Sequence, residues 1–103
     1  MKLQEQMLRV LSAAQADRKL RPDMVMITDA WGHHTQTPAW NVHEMNVMLN
    51  EVNTLRAAKC LPLVSLNDIQ KVESMACGHS DYSHKFALYC AELTFKSEKE
   101  IQP

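Results

Sequence analysis

The stretch over residues 65–93, SLNDIQKVESMACGHSDYSHKFALYCAEL, decides the fold class of this chain. Its first residue, Ser65, can accept a hydrogen bond from an amide of the following turn and is therefore a predicted helix N-cap. Gly78 lies where a helix commonly ends in a left-handed cap. Because apolar residues recur at helical spacing on both sides of Gly78, the sequence predicts helices over 66–77 and 81–95.

The helix over 81–95 is the most apolar segment of the chain. Its stripe consists of Tyr82, Phe86, Tyr89, Cys90 and Leu93. A helix of this kind is usually central to a core or forms half of an oligomer interface. We therefore keep two expectations open. The stripe packs within the chain, or the seam of a homodimer is formed by the helix over 42–59 together with Tyr82, Phe86, Tyr89, Leu93 and Phe95.

Two further helices are predicted towards the amino terminus. Apolar residues at three- and four-residue spacing indicate an amphipathic helix over 2–19. A second amphipathic stripe predicts a helix over 42–59, and Asn41 with Glu44 three places later resembles a capping box at its start.

The segment between these helices is harder to interpret. Residues 24–28 (MVMIT) form a short apolar run that fits either a strand or a buried helical turn. Residues 29–41 (DAWGHHTQTPAWN) show no sustained period and are the predicted main loop. The expected fold is a mainly α, compact bundle of about four helices in a single domain over 1–95, with one short strand over 24–28 as the open alternative. A flexible charged tail is expected over 96–103.

Composition excludes several classes of protein. The 103 residues are 46% hydrophobic and 22% charged, which argues against a disordered chain, a collagen-like repeat or a disulfide-rich miniprotein. The formal net charge of −1 provides no overall field that would attract nucleic acid or an anionic membrane. No apolar run approaches the roughly 18 residues of a membrane span. We therefore expect no membrane partner.

Cysteine usage and the amino terminus suggest a compartment. Three cysteines lie far apart, and polar residues interrupt the start of the chain where a secretory leader would need an apolar core. Reduced thiols in a cytoplasm fit this pattern.

The predicted main loop carries the candidate partner-binding residues. Trp31, His33, His34 and Trp40 lie within ten positions of each other, around Gly32. Tryptophan is enriched at binding hot spots, and paired histidines can titrate or bind metal. The alternative is that one or both indoles anchor the loop to the core.

A metal site is a weaker candidate. Cys77 and His79 precede the last helix, and His84 follows within it. Structural zinc usually needs two short ligand pairs, whereas this segment offers one irregular pair. We assign no metal ligand and no cofactor, and a small zinc-binding domain remains an alternative. Because the common nucleophile, zinc-protease and phosphate-loop motifs are absent, the sequence also predicts no catalytic residue and no enzyme.

DNA binding is the main alternative function. The two helices around Gly78 have the outline of a helix-turn-helix. A second version places the helix over 42–59 in the groove, where asparagine can pair with adenine. Its contacts would be Asn46, Asn50, Asn53 and Arg56. Glu44 and Glu51 on the same helix would repel phosphate, which argues against this version.

The segment over 78–93, GHSDYSHKFALYCAEL, resembles one near the carboxyl end of small accessory proteins of tailed phages and prophages of enteric bacteria. The resemblance covers only these residues and transfers no functional residue. It implies a short protein acting in the cytoplasm of a bacterial host by binding a host enzyme, a defence complex or a promoter. The leading hypothesis is thus an inhibitor or modulator that binds a protein partner.

Overall fold

The computed structural model describes residues 2–17, 24–28 and 31–96, and it has the mainly helical architecture that the sequence predicts. The helices are α1 (Leu3–Asp17), α2 (Ala39–Ala58), α3 (Leu66–Ala76) and α4 (Tyr82–Leu93), and the strands are β1 (Met24–Thr28) and β2 (His34–Pro38). The strand alternative for 24–28 is confirmed. Residues 18–19 and 97–103, where the sequence predicts a helix end and most of the tail, lie outside the described part.

Helix α3 begins and ends at the predicted signals. The backbone amide of Ser65 donates to Oδ2 of Asp68 at 2.9 Å, and Oγ of Ser65 accepts from the amide of Asp68 at 3.4 Å. These reciprocal bonds form a capping box. Gly78 has φ +92°, a conformation that glycine adopts without a steric penalty, and it reverses the chain towards α4.

Helix α4 is central to the core. It packs against α1 and α3 and, over a smaller area, against α2. The core consists of Met7, Leu11, Met45, Met48, Val52, Ile69, Val72, Ala76, Phe86, Ala87, Tyr89, Cys90, Ala91 and Leu93. Phe86, Tyr89, Cys90 and Leu93 are buried within the chain and are not available to a dimer seam, whereas Phe95 of the predicted seam is 49% exposed.

Helix α2 begins at Ala39, three residues before the predicted start. Pro38 has no N–H to donate and ends the strand pairing, and the chain enters the helix at the next residue. Asn41 therefore lies inside the first turn, and the predicted capping box with Glu44 is wrong. The side chain of Glu44 is instead buried, with 1% exposed.

The predicted loop over 29–41 is also wrong for residues 34–38, which form β2. This strand pairs antiparallel with β1, and Met26 lies opposite Gln36. Its sequence, HTQTP, has no apolar alternation, so the pairing with β1 and not its own pattern makes it a strand. Both strands lie against α2.

The carboxyl end of α2 is closed by a Schellman motif. The amide of Leu61 donates to the carbonyl of Arg56 at 2.9 Å, and the amide of Cys60 donates to Ala57 at 3.0 Å. Cys60 takes φ 61°, the left-handed conformation that glycine usually supplies at this position. The helix ends at Ala58, one residue before the predicted end, with a cysteine in the position favoured by glycine.

The connector from α2 to α3 is fastened by two side chains of α2. Nδ2 of Asn53 donates to the carbonyl of Val64 at 3.0 Å, and Oδ1 of Asn53 accepts from the amide of Val64 at 2.8 Å. The guanidinium of Arg56 donates to the carbonyls of Pro62 and Leu93, each at 2.6 Å, and to that of Lys96 at 3.0 Å. Arg56 thus joins α2, the connector and the end of α4.

Candidate functional site

The hairpin of β1 and β2 carries most of the predicted partner-binding residues. The pair Thr28 and His34 is the one next to the connecting turn. Oγ1 of Thr28 and Nδ1 of His34 lie 2.8 Å apart and share a hydrogen bond across this pair. In the connecting turn, Gly32 has φ +83°, which favours glycine there. The turn therefore follows from a local sequence signal even though the second strand does not.

Trp31 lies in this turn with 76% of its surface exposed. The alternative interpretation, in which the indole anchors the loop to the core, is wrong for Trp31. His33 and His34 are exposed beside it. Trp40 is separated from them in sequence and structure, because it belongs to the first turn of α2. The structure thus keeps three of the four predicted residues in one surface element.

One face of the hairpin is open to solvent. In the antiparallel register, Met26 lies opposite Gln36 and Thr28 lies opposite His34, and these four side chains are exposed. Directly opposed residues share a face of the sheet, so the four form one surface, which we call the hairpin face. The sequence does not single out Met26, because a uniformly apolar run gives no sign of which side meets water.

The described residues of the hairpin carry no fixed charge apart from histidine, whereas Asp29, between the two strands in the sequence, is acidic. Residues 24–28 and 31–38 include no Asp, Glu, Lys or Arg, although 22% of the whole chain is charged. A surface of this kind has no fixed positive charge with which to hold phosphate. It suits an uncharged or apolar protein surface better than a nucleic acid.

The residues considered for zinc are not gathered into a metal site. Cys77, His79 and His84 are all exposed at the turn between α3 and α4 and at the start of α4. Across the described ranges, no group of three or more His, Cys, Asp or Glu side chains is placed to hold a metal ion. The described geometry gives the zinc alternative no support.

In the DNA-binding version that uses the helix over 42–59, one of the four proposed contacts is buried and another is engaged within the chain. Arg56 is only 7% exposed, and its guanidinium is engaged by backbone carbonyls. Asn53 is engaged by Val64, while Asn46 and Asn50 remain exposed. Half of the residues of α4, the recognition helix of the other version, are buried. Helix α2 does not present the full set of contacts that the sequence suggests for it.

A partly buried acidic cluster joins the three later helices. Glu44 of α2 and Glu73 of α3 interact electrostatically, and the hydroxyl of Tyr82 in α4 lies 3.5 Å from Oε2 of Glu73. Burial raises the pKa of Glu73 above its ordinary value of 4.5. The hydrogen bond from Tyr82 opposes this rise and the charge of Glu44 adds to it. Burial is likewise the main cause of a raised pKa at Tyr82.

Glu73 makes a testable contribution to the pH dependence of stability. Since its pKa is raised in the folded state, the folded chain binds a proton more readily than the unfolded chain. The contribution of Glu73 to the free energy of unfolding therefore increases as the pH falls from its folded-state pKa towards 4.5. We expect Glu73→Gln to stabilise the protein at pH 7 and to remove this gain at low pH, as measured by urea unfolding at both pH values.

The exposed carboxylate of Glu5 in α1 provides the matched control for this substitution. Glu5→Gln should change stability by no more than about 0.5 kcal/mol at either pH. A Glu73→Gln protein that is less stable than the parent at pH 7 would contradict the burial account.

Comparisons of the chain with protein-family models, with curated proteins and with solved structures found no match. Among the described helices, none is long and apolar enough to cross a bilayer.

Proposed function

We propose that this protein has no enzymatic activity and acts by binding another protein through its hairpin, with Trp31 as the main anchor. The observation that carries the proposal is the exposure of 76% of Trp31 in the hairpin turn. An indole brings a large rigid apolar surface with a single N–H donor, which is why tryptophan is enriched among hot-spot residues. The exposed Trp31 ring is therefore the strongest candidate for such an anchor.

The distribution of buried and exposed apolar side chains favours the hairpin over the helices as the partner-binding surface. The apolar surfaces of α1, α2, α3 and α4 meet in one core. Met26 and Trp31, by contrast, are large apolar side chains that the fold leaves in water on the hairpin. The described hairpin residues bear no fixed charge apart from histidine, although Asp29 lies between the two strands in the sequence. A partner that contacts the described side chains alone therefore buries no unpaired fixed charge.

The proposal extends to the class of partner. The resemblance over 78–93 to phage accessory proteins supports a bacterial host protein or defence complex as the target. The protein would then act in the host cytoplasm as an inhibitor or modulator of that target. Protein binding, without a chemical step, is sufficient for this role.

Trp31→Ala tests the proposal. We expect an affinity-tagged Trp31→Ala protein to lose the partner that the parent retains from bacterial lysate. With the recovered partner in hand, titration should show a dissociation constant weakened about 30-fold, as for a hot-spot residue worth about 2 kcal/mol. The measurements are quantitative mass spectrometry of the retained proteins and calorimetric titration.

Leu63→Ala is the matched control, since Leu63 is also a large exposed apolar residue but lies in the connector between α2 and α3. It should leave retention unchanged. Circular dichroism should show that both variants fold. Equal affinity of the parent and the Trp31→Ala protein for the same partner would refute the role given to Trp31.

A further inference from the structure

Two lysine side chains converge on one exposed aromatic ring beyond the end of α4. Nζ of Lys59 lies 5.7 Å from the centroid of the Phe95 ring, and Nζ of Lys96 lies 5.5 Å from it. The two ammonium groups are therefore no more than about 11 Å apart, which is the sum of the two distances. Phe95 remains 49% exposed. We call Lys59, Phe95 and Lys96 the lysine patch.

Backbone hydrogen bonds hold the three residues of the lysine patch in place. Lys59 directly follows α2, and its amide donates to the carbonyl of Arg56 at 3.0 Å. The amides of Phe95 and Lys96 donate to the carbonyl of Glu92 at 3.1 and 2.9 Å. The guanidinium of Arg56 donates to the carbonyl of Lys96 at 3.0 Å and so joins the two chain segments. A surface whose backbone is fixed beforehand loses less entropy when a partner binds.

The ammonium groups of the lysine patch are available to an anion. Neither lies within salt-bridge distance of a carboxylate in the part of the chain that the structure describes. The acidic residues closest in sequence to Lys96 are Glu92, which is partly buried in the last turn of α4, and Glu98 and Glu100, which lie outside the described residues. Two positive charges held this close repel each other, and an anion that contacts both removes that cost.

The Phe95 ring adds to the preference for an anion. The face of an aromatic ring is negative and its edge is positive. Ammonium groups over the face leave the positive edge to a ligand. A carboxylate oxygen is therefore attracted to the edge of the ring and to the ammonium groups at the same time.

We propose that the lysine patch binds an acidic segment of another protein, with one carboxylate at Lys59 and a second at Lys96. Alternate residues of an extended segment share a face and lie roughly 7 Å apart, which falls within the separation that the two ammonium groups allow. Charge complementarity thus selects the partner. A single-stranded nucleic acid fits less well, because its bases would have to stack on the ring face that the lysines cover.

The lysine patch lies far from the hairpin. Helix α2 begins directly after β2, has 20 residues and ends directly before Lys59. A helix of this length spans roughly 30 Å. The hairpin and the lysine patch can therefore be occupied by two different proteins at once, which would make the chain a link between them.

Fluorescence anisotropy with a labelled peptide of alternating glutamate and serine tests the proposal. We expect the parent to bind this peptide at low salt, and we expect binding at least about fivefold weaker for the Lys59→Gln/Lys96→Gln protein. A peptide of alternating glutamine and serine should bind the parent at least about fivefold more weakly for the same reason. A parent that fails to bind the acidic peptide would overturn the proposal.

The Lys2→Gln/Lys85→Gln protein is the matched control, because it loses the same charge from one exposed and one partly buried lysine elsewhere. Its affinity for the acidic peptide should stay within about twofold of that of the parent. Equal weakening by both double substitutions would overturn the proposal, since only the net charge would then matter. Circular dichroism should show that both proteins fold.

Two further titrations identify the occupant. Labelled oligothymidine that binds the parent more tightly than the acidic peptide and is lost with Lys59 and Lys96 would overturn the proposal in favour of nucleic acid. A Glu98→Gln/Glu100→Gln protein should bind the acidic peptide much like the parent. A gain of about tenfold or more would make these two carboxylates the occupant and overturn an external partner.

The outcome is independent of the proposed function. Trp31→Ala should bind the acidic peptide as the parent does, because the hairpin lies at the other end of α2. The Lys59→Gln/Lys96→Gln protein should likewise retain the partner that Trp31 anchors.

Discussion

Replacing Arg56 with alanine is expected to reduce the free energy of unfolding by about 3–5 kcal/mol, a large fraction of what a domain of this size typically has. The guanidinium makes three hydrogen bonds to backbone carbonyls, two of them at 2.6 Å. Two of the acceptors lie at or beyond the carboxyl end of α4, since Leu93 is its last residue and Lys96 follows three residues later. Unsatisfied carbonyls at the carboxyl end of a helix carry partial negative charge. The positive charge of Arg56 is therefore stabilised by backbone dipoles.

The cost arises from what the substitution leaves behind. Alanine would leave the carbonyls of Pro62, Leu93 and Lys96 without this donor. The bond to Leu93 is buried, and a buried acceptor that loses its partner costs more than the net value of the bond that it made. The bonds to Pro62 and Lys96 are part-buried, so water can replace the donor there at a smaller cost. The substitution would also release the connector and the end of α4 from α2 at once.

Urea unfolding of Arg56→Ala beside Arg9→Ala measures this effect. Arg9 is an exposed arginine of α1, so its removal should cost no more than about 0.5 kcal/mol. Arg56→Lys should recover part of the loss, because lysine keeps the charge but lacks the planar fork of donors. A loss below about 1 kcal/mol for Arg56→Ala would contradict its structural role. Arg56 would then again be a candidate DNA contact of α2.

Phe86→Ala should have an effect of similar size. Phe86 is fully buried in α4 and is the largest of the fully buried side chains in the described part of the chain. Its ring lies 5.8 Å from that of Tyr82, measured between centroids, in a tilted arrangement. Removing a buried phenylalanine typically costs about 3–5 kcal/mol, because the transferred area is lost and a cavity is left. We expect a loss in this range by thermal or urea unfolding.

Phe95→Ala is the control for Phe86→Ala. Phe95 follows α4, is half exposed, and lies beneath the ammonium groups of Lys59 and Lys96 at 5.7 and 5.5 Å. Cation–π contacts at exposed sites contribute about 0.5–1 kcal/mol, so its removal should cost about 1 kcal/mol. Equal losses for Phe86→Ala and Phe95→Ala would place the stripe of α4 outside the core and reopen its use as a dimer seam.

The parts of the fold that could be predicted are those that depend on residues close together in the sequence. Ser65 and Gly78 bound α3 through bonds within a few residues, so the sequence alone locates that helix. The stripe of α4 likewise indicates burial, although periodicity alone cannot say whether the chain or a second copy covers it.

The parts that could not be predicted depend on distant partners. β2 is a strand because β1 lies beside it, and its own residues show no alternation. Arg56 is buried because backbone carbonyls from two other segments surround it, and no side-chain pattern records such acceptors. Trp31 and Trp40 look equivalent in sequence, but the helix start at Ala39 separates them. The sequence therefore predicted the segment that carries the candidate site, but not the hairpin face that is exposed.

Site-specific photo-crosslinking in bacterial cells locates the surface that the partner contacts. A photoreactive phenylalanine analogue would replace His33, which is exposed beside Trp31, in one protein and, as the matched control, the exposed Leu63 in another, so that Trp31 itself is retained. We expect a discrete adduct with a second protein from position 33 and none from position 63. Adducts from position 63 with none from position 33 would contradict the role of the hairpin, because the partner would then contact the helical body.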